Sequence, residues 1–183
     1  MRDESAILAA ASSLDPEALS AIFDEYAPAI YKYLLRLGLQ PQEADQIVGD
    51  VFVRLLEKFA EGAGPRTNLR SYLFQIAYHL LVDDARDRRN IAALDDFDTL
   101  KEGAKSVQAQ MEDKMLFEKV TVTMERELTE EQRNVLVLRF QEDFSLKETA
   151  EIIGKNLNAV KALQNRGINS LRAALRRQNG GGQ

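Results

Sequence analysis

The sequence predicts an all-helical protein of two small domains joined by an acidic linker. Apolar residues recur every three or four positions along most of the chain, and no segment shows the alternating pattern of a strand. The helical pattern weakens between residues 91 and 115, where acidic residues gather. We therefore predict a first domain over residues 15–90, a linker over 91–115 and a second domain over 116–178. A length of 183 residues is sufficient for two small domains.

Three helices are predicted in the first domain. Asp15 followed by Pro16 is a helix start, Gly38 is a stop, and Pro28 is expected to kink or divide this first helix. Its predicted core face is Leu19, Ile22, Phe23, Tyr26, Ile30, Tyr31, Leu34 and Leu37.

The second predicted helix runs from Gln42 to Phe59 and is strongly amphipathic. Residues 60–66 form an irregular loop with two glycines and a proline, and a third helix runs from about residue 68 to 89. The predicted core residues are Ala44, Ile47, Val48, Val51, Phe52, Leu55, Leu56 and Phe59 in the second helix, and Leu69, Tyr72, Leu73, Ile76, Leu80 and Leu81 in the third.

The second domain contains two capping boxes and a helix-turn-helix. Helical periodicity resumes at residue 116, and Thr129 with Gln132 forms the first box. Ser145 with Glu148 forms the second and opens a helix-turn-helix over residues 145–165, in which Gly154 provides the turn. The last residues, 179–183, are disordered by composition.

Charge distribution points to a polyanionic partner. No acid follows Glu151, yet six basic residues do, in a chain whose net charge is −5. Such a basic island typically binds nucleic acid, although a helical hairpin with a solvated basic face is the alternative. If the recognition helix begins near Asn156, with Val160 and Leu163 packed inward, its outer arc is Asn158, Lys161, Ala162, Asn165 and Arg166.

Composition excludes several other classes. With no cysteine and one histidine, the chain lacks the residues for a thiolate metal site, a disulfide framework or a Cys-His nucleophile pair, so we expect no enzyme, metal or cofactor. The cluster Asp95, Asp96 and Asp98 lacks the alternating ligands and glycine of a calcium loop. Because no run of 18 apolar residues occurs, we expect no membrane insertion and a cytoplasmic protein.

The third helix interleaves aromatic and basic side chains, a combination that suits unpaired bases. Tyr78 and His79 fall off the predicted apolar stripe and are the better candidates for stacking, whereas Tyr72 is assigned to the core.

Three segments together resemble the extracytoplasmic-function sigma factors, two-domain members of the sigma-70 family. Residues 43–55 are similar to the part of region two that docks on core RNA polymerase, residues 69–83 to the helix that melts and reads the minus-10 element, and residues 128–171 to region four, which reads the minus-35 element.

The resemblance implies a dissociable initiation subunit that directs core polymerase to promoters and catalyses nothing. Its implied partners are promoter DNA, the beta-prime clamp helices and beta flap of core polymerase, and an anti-sigma factor. The implied core-binding residues are Asp45, Gln46, Asp50 and Arg54; the minus-10 residues are Gln75, Tyr78, His79, Asp83 and Arg86; the minus-35 residues are Asn156, Asn158, Lys161, Ala162, Asn165 and Arg166.

Two other functions are compatible with the residues alone. One is a free-standing helix-turn-helix regulator whose N-terminal helical domain senses a ligand or dimerises. The other is an enzyme using the paired carboxylates of Asp83 and Asp84, but neighbouring positions on a helix do not face each other.

Overall fold

A computed structural model describes the backbone of residues 4–92 and 121–180 and the side chains of residues 4–86 and 121–177. All regular structure in these ranges is helical, which confirms the predicted fold class. The helices are α1 (Glu4–Ser12), α2 (Pro16–Arg36), α3 (Pro41–Ala60), α4 (Leu69–Ala92), α5 (121–127), α6 (Glu130–Phe140), α7 (Leu146–Ile153) and α8 (Leu157–Gly180).

The described residues group into two compact units. One comprises residues 4–35 and 40–92 and contains α1, most of α2, α3 and α4. The other comprises residues 36–39 and 121–180 and contains α5 to α8. The predicted linker lies almost wholly outside the described residues, as does the Asp95 cluster, so the domain boundaries stay predictions.

The start of α2 follows the sequence signal. The Asp15 carboxylate accepts a hydrogen bond from the Ala18 backbone N–H at 2.8 Å, which satisfies one of the free donors of the first turn. The helix then continues through Pro28 to Arg36, so the prediction that Pro28 could divide it is wrong. Phe23, predicted to be core, is exposed and packs its ring 4.7 Å from that of Phe52, whereas Tyr33 is fully buried.

Helices α3 and α4 pack together and form much of the first core. Glu43 caps α3 by accepting a hydrogen bond from the Gln40 backbone N–H at 2.9 Å. In α4 the buried stripe is broader than predicted because it includes two aromatic residues, Phe74 and Tyr78. Tyr72, predicted to be core, is only half-buried.

A helix that the sequence did not predict, α1, precedes the first domain. It buries Leu8 and Ala11 and contacts α3. Its nine residues include four alanines and are too few to show an amphipathic repeat. Hydrophobic periodicity therefore did not predict this helix.

Both predicted capping boxes are present in the second unit. The Thr129 and Ser145 hydroxyls accept hydrogen bonds from the backbone N–H groups of Gln132 and Glu148, at 3.3 and 3.1 Å. In return, the Gln132 and Glu148 side-chain oxygens accept hydrogen bonds from the backbone N–H groups of Thr129 and Ser145, at 3.2 and 2.7 Å. The caps therefore fix where α6 and α7 begin.

Two glycines shape the helix-turn-helix. Gly154 ends α7 in the left-handed conformation with φ 65°, as its position in the turn predicted. Gly167 lies where α8 crosses α6, and a Cβ there would come within 3.0 Å of Leu136 Cδ1. A larger residue at this position would therefore have to displace the Leu136 side chain. Helix α8 continues to Gly180, so the first two residues of the predicted disordered tail are helical, and the other three lie outside the described residues.

Candidate nucleic-acid and polymerase interfaces

The recognition helix presents a polar face at its N-terminal end. Val160 and Leu163 are buried as predicted, and they fix the rotation of α8 against the rest of the unit. The five residues of the predicted outer arc are all exposed: Asn158, Lys161, Ala162, Asn165 and Arg166. An exposed arc with two amides and two cations has the donors and acceptors that base edges and phosphates require.

Asn156 has a structural task in addition to its predicted one. Its side-chain oxygen accepts a hydrogen bond from the Ala159 backbone N–H at 2.8 Å, so Asn156 is the N-cap of α8. The helix itself begins at Leu157 and extends well beyond Arg166, where the sequence placed its end. The amide nitrogen of the Asn156 side chain is not used in this cap and can donate to a ligand.

Two cations of the basic island are engaged in ion pairs inside the second unit. Lys155 Nζ lies 2.9 Å from a Glu131 carboxylate oxygen, and Arg177 Nη2 lies 2.5 Å from one of Glu127. Arg172 and Arg176 are exposed. The positive field of α8 is therefore concentrated on the outer arc and on these two arginines.

On α4, four of the predicted minus-10 residues lie along one side of the helix. Gln75, His79 and Arg86 follow at intervals of four and seven residues, which places them on one face, and Asp83 lies at its edge. His79, Asp83 and Arg86 are exposed and Gln75 is half-buried. The same face carries Val82, an exposed apolar residue that the sequence did not single out.

The structure corrects the predicted position of Tyr78 on α4. Its side chain is only 8% exposed, and its ring centroid lies 5.8 Å from that of His79. The prediction that Tyr78 falls off the apolar stripe is wrong, because the stripe of α4 is wide enough to include it. Tyr78 thus belongs to the core beside His79, and its predicted contact with minus-10 DNA stays a prediction.

The loop before α4 is closed by backbone hydrogen bonds. The Ala63 N–H donates to the Lys58 carbonyl at 2.9 Å, and the Gly62 N–H donates to that of Phe59 at 3.0 Å. Phe59 is buried beneath the loop, and its ring contacts the position that a Cβ on Gly64 would take. The loop is therefore held against the first core at its start.

Helix α3 presents an exposed face that is partly apolar. Asp45, Gln46, Asp50 and Arg54 are all exposed, opposite the buried stripe, as predicted. Between them lies Val53, which is 53% exposed, and Leu56, predicted to be core, is 40% exposed. A face that combines charges with exposed aliphatic side chains has the groups that a protein interface uses.

Comparison with known proteins identifies two conserved modules. Residues 22–91 match the family described as "Sigma-70 region 2", and residues 126–173 match the family described as "Sigma-70, region 4". Together they cover more than half of the chain. The chain belongs to the sigma-70 family, in its extracytoplasmic-function group.

Individual relatives agree with this assignment. The ECF RNA polymerase sigma factor SigX of Bacillus subtilis is 27% identical over 169 residues, covering 85% of this chain and 82% of SigX. SigW of the same species is 28% identical over 171 residues, covering 88% of this chain and 91% of SigW. The free-standing regulator is therefore not favoured.

A solved structure shares the fold. The sigma factor RpoE from Bartonella quintana, solved in complex with the anti-sigma factor NepR, has a TM-score of 0.69 and 19% identity to this chain. The match covers 82% of this chain and 91% of RpoE.

The described residues show neither a membrane-spanning helix nor a metal cluster. Within residues 4–92 and 121–180, no helix is long and apolar enough to cross a membrane. The same part of the chain contains no group of three or more histidine, cysteine, aspartate or glutamate side chains that is arranged to hold a metal ion.

Proposed function

We propose that this sigma factor divides promoter recognition among three helix faces. The face of α3 that carries Asp45, Gln46, Asp50, Arg54 and Val53 docks on the clamp helices of core polymerase. The face of α4 that carries Gln75, His79, Asp83 and Arg86 contacts the minus-10 element after melting. The outer arc of α8 reads the minus-35 element in the major groove, and the second unit also contacts the beta flap.

The observation that carries the proposal is the exposure of the α8 outer arc. Helix α8 buries Val160 and Leu163, and the capping of α7 and the turn at Gly154 hold its N-terminal end clear of the unit. Five side chains suited to DNA are thereby presented together within about two turns of one helix.

The remaining parts of the proposal follow from the family. We propose that the protein acts in the cytoplasm, catalyses no reaction itself, needs no cofactor and leaves nucleotide chemistry to core polymerase. An anti-sigma factor is a further proposed partner, by analogy with the complex in which RpoE was solved. Run-off transcription with core polymerase and promoter fragments tests the activity as a whole.

Competition for core polymerase tests the docking face directly. Replacing Val53 by lysine places a charge at the centre of the face, and we expect about thirtyfold weaker competition against a labelled sigma factor, equivalent to about 2 kcal/mol. Asp50→Lys, Gln46→Ala and Arg54→Ala test its polar part and should also weaken competition. Thermal unfolding should hardly change, because these positions are exposed.

Val122→Lys is a matched control for that experiment. Val122 has comparable exposure and lies in α5, outside the α3 face, so the same substitution should weaken competition much less than Val53→Lys does. If Val53→Lys competes as well as Val122→Lys, α3 is not the docking helix.

A further inference from the structure

We propose that Glu4, on α1, is a positioning residue that holds the N-terminal end of α4, and with it the preceding loop, in the geometry that contacts minus-10 DNA. The proposal rests on the proposed function of α4 and adds to it an element outside the matched region 2, which begins at residue 22.

The contact is a hydrogen bond between residues far apart in sequence. The Leu69 backbone N–H donates to the Glu4 carboxylate oxygen Oε1 at 2.9 Å, across 65 residues of chain. Leu69 is the first residue of α4, and the first N–H groups of a helix have no partner inside it. Glu4 therefore provides, from another helix, an acceptor for one of the donors that α4 leaves free.

The local sequence explains why an outside acceptor is used. Asn68 occupies the N-cap position, since its carbonyl accepts the first helical hydrogen bond, from Tyr72 N–H at 3.1 Å. Its backbone is left-handed, with φ 55°, whereas a side chain caps a helix from the extended conformation. The chain thus enters α4 through a sharp turn, and the Glu4 carboxylate accepts the first donor after that turn.

Helix α1 has the anchoring that such a role requires. Leu8 and Ala11 are buried, and α1 contacts α3 within the same unit. At its C-terminal end the Ser12 hydroxyl donates to the Leu8 carbonyl at 2.7 Å. Glu4 is exposed at the start of a helix that is packed on the core, so its hydrogen bond joins that helix to the first residue of α4.

Neighbouring charges define the surroundings of the carboxylate. Burial raises the pKa of Tyr26, the carboxylates of Glu25 and then Glu4 raise it further, and Arg70 acts in the opposite direction. Glu4 thus lies close enough to α2 for its charge to reach Tyr26. A negative charge at the first turn of α4 also interacts favourably with the helix dipole.

The position of the contact links it to DNA binding. Gln75 and His79 lie six and ten residues after Leu69, about 9 and 15 Å along the helix axis. Loop residues 61–68 end at the same point. A contact at Leu69 therefore sets both the exit of the loop and the axis of the helix that carries the proposed minus-10 residues.

The test measures affinity of reconstituted holoenzyme for a single-stranded minus-10 oligonucleotide. Glu4→Ala removes the acceptor, and we expect affinity to fall about fivefold, the size of effect that loss of a helix cap has. Glu4→Gln keeps an oxygen acceptor at the same distance and should retain affinity within about twofold. Amide exchange at Leu69 should accelerate only in Glu4→Ala.

Glu17→Ala is the matched control, because Glu17 is an exposed glutamate in the first turn of α2. It removes the same charge and should bind the oligonucleotide normally. All three variants should compete for core polymerase like the unmodified protein.

Three outcomes would overturn the proposal. Equal oligonucleotide affinity in Glu4→Ala and Glu17→Ala would overturn the role of Glu4 and leave the proposed function of α4 intact. Weaker core competition by Glu4→Ala, in step with the loss of oligonucleotide affinity, would show that Glu4 only maintains the fold. Failure of unmodified holoenzyme to bind the oligonucleotide would overturn the function of α4, and this proposal with it.

Discussion

Helices α4 and α8 are both 24 residues long, and each carries the proposed DNA contacts of its unit, yet they use their surfaces differently. Helix α8 exposes every residue of its outer arc and buries only aliphatic side chains beneath it. Helix α4 buries Phe74 and Tyr78 and exposes a narrow stripe that includes His79. The buried aromatic rings make the α4 stripe dependent on the core behind it.

The difference matches the two kinds of DNA that the helices are proposed to meet. A helix in the major groove of duplex DNA needs a clear polar arc. A helix that binds unpaired bases needs side chains held at fixed positions, since each stacking contact depends on close alignment. On the proposed function of α4, the buried rings of Phe74 and Tyr78 would provide that alignment.

The largest expected effect separates Tyr78 from His79. Tyr78→Ala removes a buried ring and should lower the free energy of unfolding of the first unit by about 3 kcal/mol or more. His79→Ala should leave thermal unfolding unchanged and reduce transcription from a duplex promoter about tenfold, since loss of one stacking contact costs about 1 to 3 kcal/mol.

A pre-melted bubble template completes that comparison. If His79 acts in promoter opening, a template that is already open should restore much of the transcription lost in His79→Ala. Equal loss on duplex and bubble templates, or unfolding of His79→Ala at a lower temperature, would mean that His79 supports the fold as Tyr78 does.

Charge reversal on α8 should have the next largest effect. Lys161→Glu or Arg166→Glu removes a contact and adds repulsion, and each should reduce promoter binding by the holoenzyme by about 2 kcal/mol. Core competition should be unaffected because Lys161 and Arg166 lie on the exposed outer arc, which is proposed to face DNA rather than polymerase.

Arg176→Glu is the control on the same helix. Arg176 lies ten residues beyond Arg166, about 15 Å further along the axis, and should contribute at most a phosphate contact. A loss in this variant as large as in Lys161→Glu would show that the recognition arc has been placed on the wrong turns of α8.

The smallest expected effect compares two turn glycines, one in each unit. Gly62 and Gly154 have φ of 69° and 65°, and a Cβ on either would meet no atom within 4 Å. Alanine at either position should therefore cost only the backbone strain of a left-handed residue, about 1 kcal/mol, measured by chemical denaturation. A much larger cost at Gly62 would indicate that the loop before α4 tolerates less adjustment than the turn of the helix-turn-helix.

The second unit could be predicted from the sequence in detail because its signals are local. Ser145 with Glu148, Thr129 with Gln132, and Gly154 each act within three or four residues, so spacing alone identifies them. The inward direction of Val160 and Leu163 followed from the helical repeat. The end of α8 was placed too early, at Arg166. No signal in the sequence after Arg166 shows that the helix continues.

The first unit was predicted less completely because its decisive interactions are long-range. The burial of Tyr78 depends on how many neighbours cover α4, which periodicity does not report. The exposure of Val53 and Leu56 depends on which side of α3 its neighbours leave uncovered. Glu4 and Leu69 are separated by 65 residues, and no pattern within one segment links them.

The ion pairs of Lys155 and Arg177 have a consequence for ionic strength. A cation that already has a carboxylate neighbour attracts phosphate less, and its engagement with DNA must first break that pair. Of the six basic residues after Glu151, four remain outside such pairs among the described residues: Lys161, Arg166, Arg172 and Arg176. Counterion release by these four limits the contribution of α8 to a logarithmic salt slope of about −3.6.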